Sequence, residues 1–161
     1  MSATAGNVRL SRAQLRSWRA FLRAHAEVTR RLETDLVAAH QVPLAWYDVL
    51  VQLVEAPGRR LRMTDLAGAV LISRSGLTRL VDRLVAEGLV RRERAEDDAR
   101  GTFAVMTDEG YARLRAATPT HLRGIASYVV SRLSPDQLNA FGDACQLIAD
   151  APESEPTVQP S

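Results

Sequence analysis

Residues 77–110, LTRLVDRLVAEGLVRRERAEDDARGTFAVMTDEG, decide the fold. Leu77, Leu80, Val81, Leu84 and Val85 recur at spacings of three and four, so one face of a helix is apolar. Ser73 stands where an N-cap belongs and Gly88 where a helix stops. Residues 89–94 and 102–106 then read as two short strands around a polar tip that contains Gly101. After Thr107, the acids Asp108 and Glu109 suit the positive end of the next helix dipole. A helix followed by a charged hairpin is the order needed to lay one element in a DNA major groove with a basic finger beside it.

Working outward, residues 44–56 form a helix stopped by Pro57-Gly58. A further helix follows, with Thr64 as N-cap and Leu66, Ala67 and Val70 inward. A turn at Leu71-Ile72 leads into the helix above, and the pair makes a helix-turn-helix. Residues 11–40 read as one long helix with Leu15, Trp18, Phe21, Leu22, Val28, Leu32 and Leu36 on one broad face. Arg9, Arg12, Arg16, Arg19, Arg23 and Arg30 lie on another, expected to be solvated. Beyond Thr107 a helix carries Tyr111, Leu114, Leu122, Ile125, Val129 and Leu133, and Pro119 should kink or split it. Ser134-Pro135-Asp136-Gln137 has capping-box spacing and opens a last helix bearing Leu138, Phe141, Cys145 and Ile148. The expected fold is mainly α with a small β-hairpin: a winged helix-turn-helix over 41–107, flanked by helices over 11–40 and 108–150. Residues 1–10 and 151–161 read as flexible ends.

The flanking helices carry long apolar stripes that a compact winged domain cannot cover. An interface between two copies is expected, with Leu15, Leu22, Leu138, Phe141 and Ile148 in it. A twofold dimer also sets two reading helices about one DNA turn apart.

With 161 residues the chain is expected to form one domain or one intertwined unit. No run approaches the ~18 apolar residues of a membrane span, and no export signal opens the chain, so a cytoplasmic protein with no membrane partner is expected. Cys145 is the only cysteine, which excludes an internal disulfide. Net charge is +2, but residues 59–100 hold ten arginines against seven acids, leaving that segment +3 and the remainder −1. All 21 basic residues are arginine. Arginine's fork suits phosphates and guanine edges, although a coding bias is the plainer account of the missing lysines. His25, His40 and His121 are far apart and show no metal-ligand spacing, so no metal and no cofactor are expected. There is no nucleophile–base pairing and no glycine-rich phosphate loop, which argues against an enzyme.

On the reading helix the apolar stripe leaves Arg74, Ser75, Thr78, Arg79, Asp82 and Arg83 outward. Arg74, Ser75, Thr78 and Arg79, nearest its N-terminus, are expected at base edges and nearby phosphates. Gly76 allows close backbone approach, and Ser73 can meet a phosphate beside the first amides. Arg91, Arg92 and Arg94 on the first strand are expected to contact phosphates or to pair with Glu93.

The TRLVDRL run ending in EGLV, the triplet Asp98-Ala99-Arg100 and Thr107-Asp108-Glu109-Gly110, with the preceding Leu71-Ile72-Ser73-Arg74-Ser75-Gly76, resemble the MarR family of winged-helix regulators over residues 44–110. The resemblance implies a twofold dimer with interlocking terminal helices. It also implies that Arg100 reaches the minor groove or its phosphates while Asp98 braces it. The physics agrees, because an acid in a DNA-facing tip repels unless it orients a cation, and Asp98 lies within turn distance of Arg100. Family members are often switched by small aromatic acids, antibiotics or oxidants. Trp18, His25, Trp46 and Tyr47 are the candidates to line an effector cleft. The oxidant-sensing branch uses a cysteine early in the chain; Cys145, on an apolar helix face, reads as buried and inert. The expected function is a dimeric repressor that binds a pseudo-palindromic duplex operator and is released by an aromatic or drug-like effector. The alternative is a winged-helix module that binds protein or RNA.

Overall fold

A computed structural model describes residues 9–70, 73–94 and 101–150. The chain divides into two compact units, one running over Thr29–Ile125 and the other combining the chain up to Val28 with that from Ala126 onward. Helix α1 spans Arg12–His40, followed by α2 (Leu44–Glu55), β1 (Arg60–Arg62), α3 (Met63–Ala69) and α4 (Arg74–Ala86). Strands β2 (Val90–Arg94) and β3 (Thr102–Met106) precede α5 (Asp108–Tyr128) and α6 (Pro135–Ala149).

Within Thr29–Ile125, Leu36, Leu50, Leu53, Leu66, Leu77, Val81, Leu84 and Leu89 form a core shielded from solvent. The sequence that builds it also connects its helices. Gln41 takes a left-handed conformation after α1, and Val42 drops into the core. Pro43, the N-cap of α2, has no side-chain hydrogen bond to offer; the Glu33 carboxylate of α1 accepts the Leu44 N–H instead. One helix thus supplies the cap that the next one lacks.

The sheet has three antiparallel strands in the order β1-β3-β2, one more than the expected hairpin. Arg60 stands opposite Val105 and Arg62 opposite Phe103. β1 holds a single apolar residue, Leu61, and so carries too little alternation to be read from sequence. Its pairing also moves the start of α3. Arg62, still extended, is the N-cap, whereas Thr64 was expected there. Thr64 lies inside the first turn and its hydroxyl reaches Asp65.

α4 ends as its glycine requires. Gly88 has a φ of +73°, and the amides of Gly88 and Leu89 return to the carbonyls of Val85 and Leu84. That double bond pattern closes the helix end. Thr107 then ties three elements together. Its hydroxyl donates to the Gly88 carbonyl at 2.7 Å and accepts the Gly110 N–H at 3.0 Å, while its own amide bonds the Leu89 carbonyl.

α5 runs through Pro119 without a break, so of the kink or split expected there the split does not occur. Ala117 and Gly124, on either side of the proline, are both buried, and packing of these flanking turns offsets the lost hydrogen bond. The helix ends at Tyr128, short of Leu133, and a single 3-10 turn covers Val130–Arg132.

In the other unit, α6 opens on the expected capping box: Ser134 accepts from Gln137, whose side chain accepts from the Ser134 amide. No residue of α6 is buried. Among the described residues every buried one falls in Thr29–Ile125.

Candidate nucleic-acid interface

The N-terminus of α4 is organised by short polar side chains. Ser73 Oγ accepts the Gly76 amide at 3.1 Å, and Ser75 Oγ lies 3.3 Å from it. A Cβ on Gly76 would stand 3.1 Å from that same hydroxyl, so the glycine leaves room for the cap. Thr78 donates its hydroxyl back to the Arg74 carbonyl at 2.9 Å, which restrains its rotamer. Leu77, Val81 and Leu84 are buried and set the rotation of the helix. Arg74, Ser75, Thr78, Arg79, Asp82 and Arg83 are all exposed. Val85, expected in the buried stripe, is 38% exposed, because the apolar face of α4 narrows toward its C-terminus. Among the described residues no carboxylate pairs with Arg74 or Arg79.

The wing strands divide their charges by face. On one face Arg60 and Arg62 lie over the Phe103 ring at 4.0 and 5.1 Å, and Glu93 pairs with both Arg60 and Arg91. On the other face Arg92 turns toward α4. Its Nη2 lies 2.8 Å from Asp82 Oδ1 and donates to the Thr78 carbonyl at 3.3 Å. Arg91 therefore is the partner of Glu93, whereas Arg92 is an internal tie between β2 and α4. Strand parity carried that signal: Arg92 shares a face with buried Val90. Arg94 is exposed at the end of β2. Asp98 and Arg100 lie outside the described residues, as does the turn at Leu71-Ile72.

Trp46 packs partly buried against the core of Thr29–Ile125, and Tyr47 is buried, its ring centroid 4.3 Å from that of His121. The Tyr47 hydroxyl lies 3.5 Å from Thr118 Oγ1. In the other unit Trp18 stacks on Phe21 at 5.8 Å, and Phe21 on His25 at 6.4 Å. Trp18 is 54% exposed. Leu22, Phe141 and Ile148 are exposed, and Leu15 and Leu138 are half-buried. Cys145 is half-buried, not buried as its spacing suggested, since nothing in α6 is fully covered. No helix among the described residues is long and apolar enough to cross a membrane.

Residues 40–101 match the model of the MarR family. Sco3205, a MarR family transcriptional regulator from Streptomyces coelicolor solved in complex with DNA, is 37% identical with a TM-score of 0.85, over 90% of this chain and 96% of that one. The PcaV transcriptional regulator of the same organism, solved with its natural ligand, is 26% identical with a TM-score of 0.70, over 94% of this chain and 99% of that one. The HTH-type transcriptional repressor YetL of Bacillus subtilis is 30% identical over 95 residues, which span 59% of this chain and 56% of YetL. With a three-stranded wing, a capped α4 and a match to Sco3205 over nearly the whole of both chains, this protein belongs to the MarR family of transcriptional regulators, not to a family of enzymes.

Proposed function

We propose that the chain is a homodimeric repressor that binds a pseudo-palindromic duplex through α4 and the wing, and that a small aromatic or drug-like effector releases it. One observation carries the reading: Arg74, Ser75, Thr78 and Arg79 form an exposed row at the capped N-terminus of α4. A helix held by a buried stripe and presenting such a row can offer donors to guanine edges and phosphates together. Ser73 and Gly76 bring the first amides close to the backbone, and Arg94, Asp98 and Arg100 extend the contact through the wing. The DNA-bound Sco3205 structure supports the DNA partner. Ligand-bound PcaV supports an effector; Trp18 and His25 in one unit, and Trp46 and Tyr47 in the other, are separate aromatic candidates to contact it. YetL, a repressor, supports the sign of regulation.

Selection of duplexes from a random library by the full chain tests this reading. The expected product is a two-half-site consensus bound far more tightly than scrambled duplex. Arg79→Ala should then lower affinity for the selected duplex by about tenfold or more, as for a lost bidentate guanine contact, and leave melting unchanged. Enrichment of no sequence, or preference for RNA over duplex, overturns the reading.

A further inference from the structure

The Arg92 guanidinium meets α4 through Nη2 alone, which contacts the Thr78 carbonyl and the Asp82 carboxylate, groups four residues apart in sequence. Groups at i and i+4 lie on the same side of a helix, so one nitrogen reaches both and ties that face of α4 to β2. Both contacts run from Nη2, whose two N–H bonds diverge at a fixed angle in the guanidinium plane, whereas a lysine ammonium holds no fixed plane. The clamp sits beside the outward row, since Thr78 and Arg79 are themselves exposed there. Arg92 also belongs to the strand that leads into the wing.

The energetics point away from a role in bulk stability. The Arg92 and Asp82 side chains are 35% and 60% exposed, and solvent-screened ion pairs contribute little to folding. Asp82 moreover places a negative charge on the helix face that carries Arg79 and Arg83, where charge alone disfavours phosphate. We infer that Arg92 is a positioning residue for sequence reading: with Asp82 it holds α4 in register with the wing, and it does not neutralise a phosphate. The inference rests on the reading of α4 as the DNA-contacting helix.

The test compares a duplex selected by the wild-type chain with a scrambled duplex of equal length, each titrated at several salt concentrations. Arg92→Ala should lower the ratio of selected to scrambled affinity by roughly tenfold, the size of one lost charge-assisted hydrogen bond, with an unchanged salt slope. Arg92→Lys should fall between. Asp82→Ala should also lower the ratio, although deleting an acid near DNA would by charge alone tighten both duplexes. The double variant should be no worse than Arg92→Ala, since one interaction is lost once. Equal weakening on both duplexes with a slope reduced by about one per subunit makes Arg92 a phosphate contact and overturns the inference. An unchanged ratio, or tighter binding by Asp82→Ala, overturns it as well. Should Arg92→Ala melt early, exposed Asp82→Ala decides the matter alone. A wild-type chain that enriches no sequence removes the DNA-reading proposal itself, a result distinct from either of these.

Discussion

Gly110 decides a helix–strand junction by having no side chain. A Cβ there would lie 2.1 Å from the Leu89 carbonyl oxygen, which already accepts the Thr107 amide. Backbone on both sides leaves no flexible atom to yield. Gly110→Ala should destabilise the chain by ~1–3 kcal/mol, as overpacking does, and urea unfolding measures it; an unchanged midpoint would show that α5 can shift freely. His121 makes a second prediction at this scale. Its Nδ1 is buried without a hydrogen-bond partner among the described residues, and burial holds its pKa below the ordinary 6.5. As pH falls below 6.5 the unfolded chain takes up a proton that the folded one refuses, so stability drops over the window between that value and the depressed one. Melting temperature should therefore decline on acidification through that window, and His121→Phe should flatten the decline. A slope identical in the variant would assign it to other groups.

Among the elements, the wing shows what pattern alone can and cannot resolve. β2 and β3 were legible because residues 90 and 102–106 supply β-branched and apolar side chains beside a glycine turn. β1 was not, since three residues gain strand structure only from pairing with β3, some forty positions away. The ends of α4 were equally legible from Ser73 and Gly88, because capping is local chemistry. The tip of the wing carries the third prediction. If Arg100 reaches the minor groove, Arg100→Ala should weaken binding and reduce the salt slope by ~1 unit per half-site. Asp98→Ala should weaken binding too if Asp98 braces Arg100. Electrostatics without a brace predicts tighter binding, so the sign in a gel-shift titration across salt separates the two.

For the whole molecule, the distribution of burial argues for a second copy. Outside Thr29–Ile125 no described residue is buried, while Trp18, Phe21, Leu22, Phe141, Leu147 and Ile148 remain 41–76% exposed. Burying one such side chain is worth ~1.5–3 kcal/mol, and exposed apolar groups of this size are what a partner surface would cover. We expect a dimer in sedimentation at micromolar concentration, and Phe141→Asp should shift it toward monomer and lower the melting temperature with it. A wild-type monomer of full helicity would remove the basis for paired half-sites. Cys145, half-exposed in the single chain, should become protected from thiol reagents in the same dimer.

The sequence by itself determined what depends on neighbours within a turn or two: the helices from their periodicity, their ends from Ser73, Gly88 and Ser134, and the outward row on α4 from its apolar stripe. Even the TRLVDRL…EGLV and TDEG runs are local, which is why the family could be read from them. Only the tertiary structure decided the partners of charges and the fate of marginal segments. Arg92 chose Asp82 over Glu93 because strand parity and helix packing set it against α4. Pro119 stayed within a helix because burial on both sides outweighed one missing amide. Arg60–Arg62 became a strand because β3 offered an open edge. Such outcomes rest on contacts between residues far apart in the chain, whose energies exceed local preference yet leave no period in the sequence.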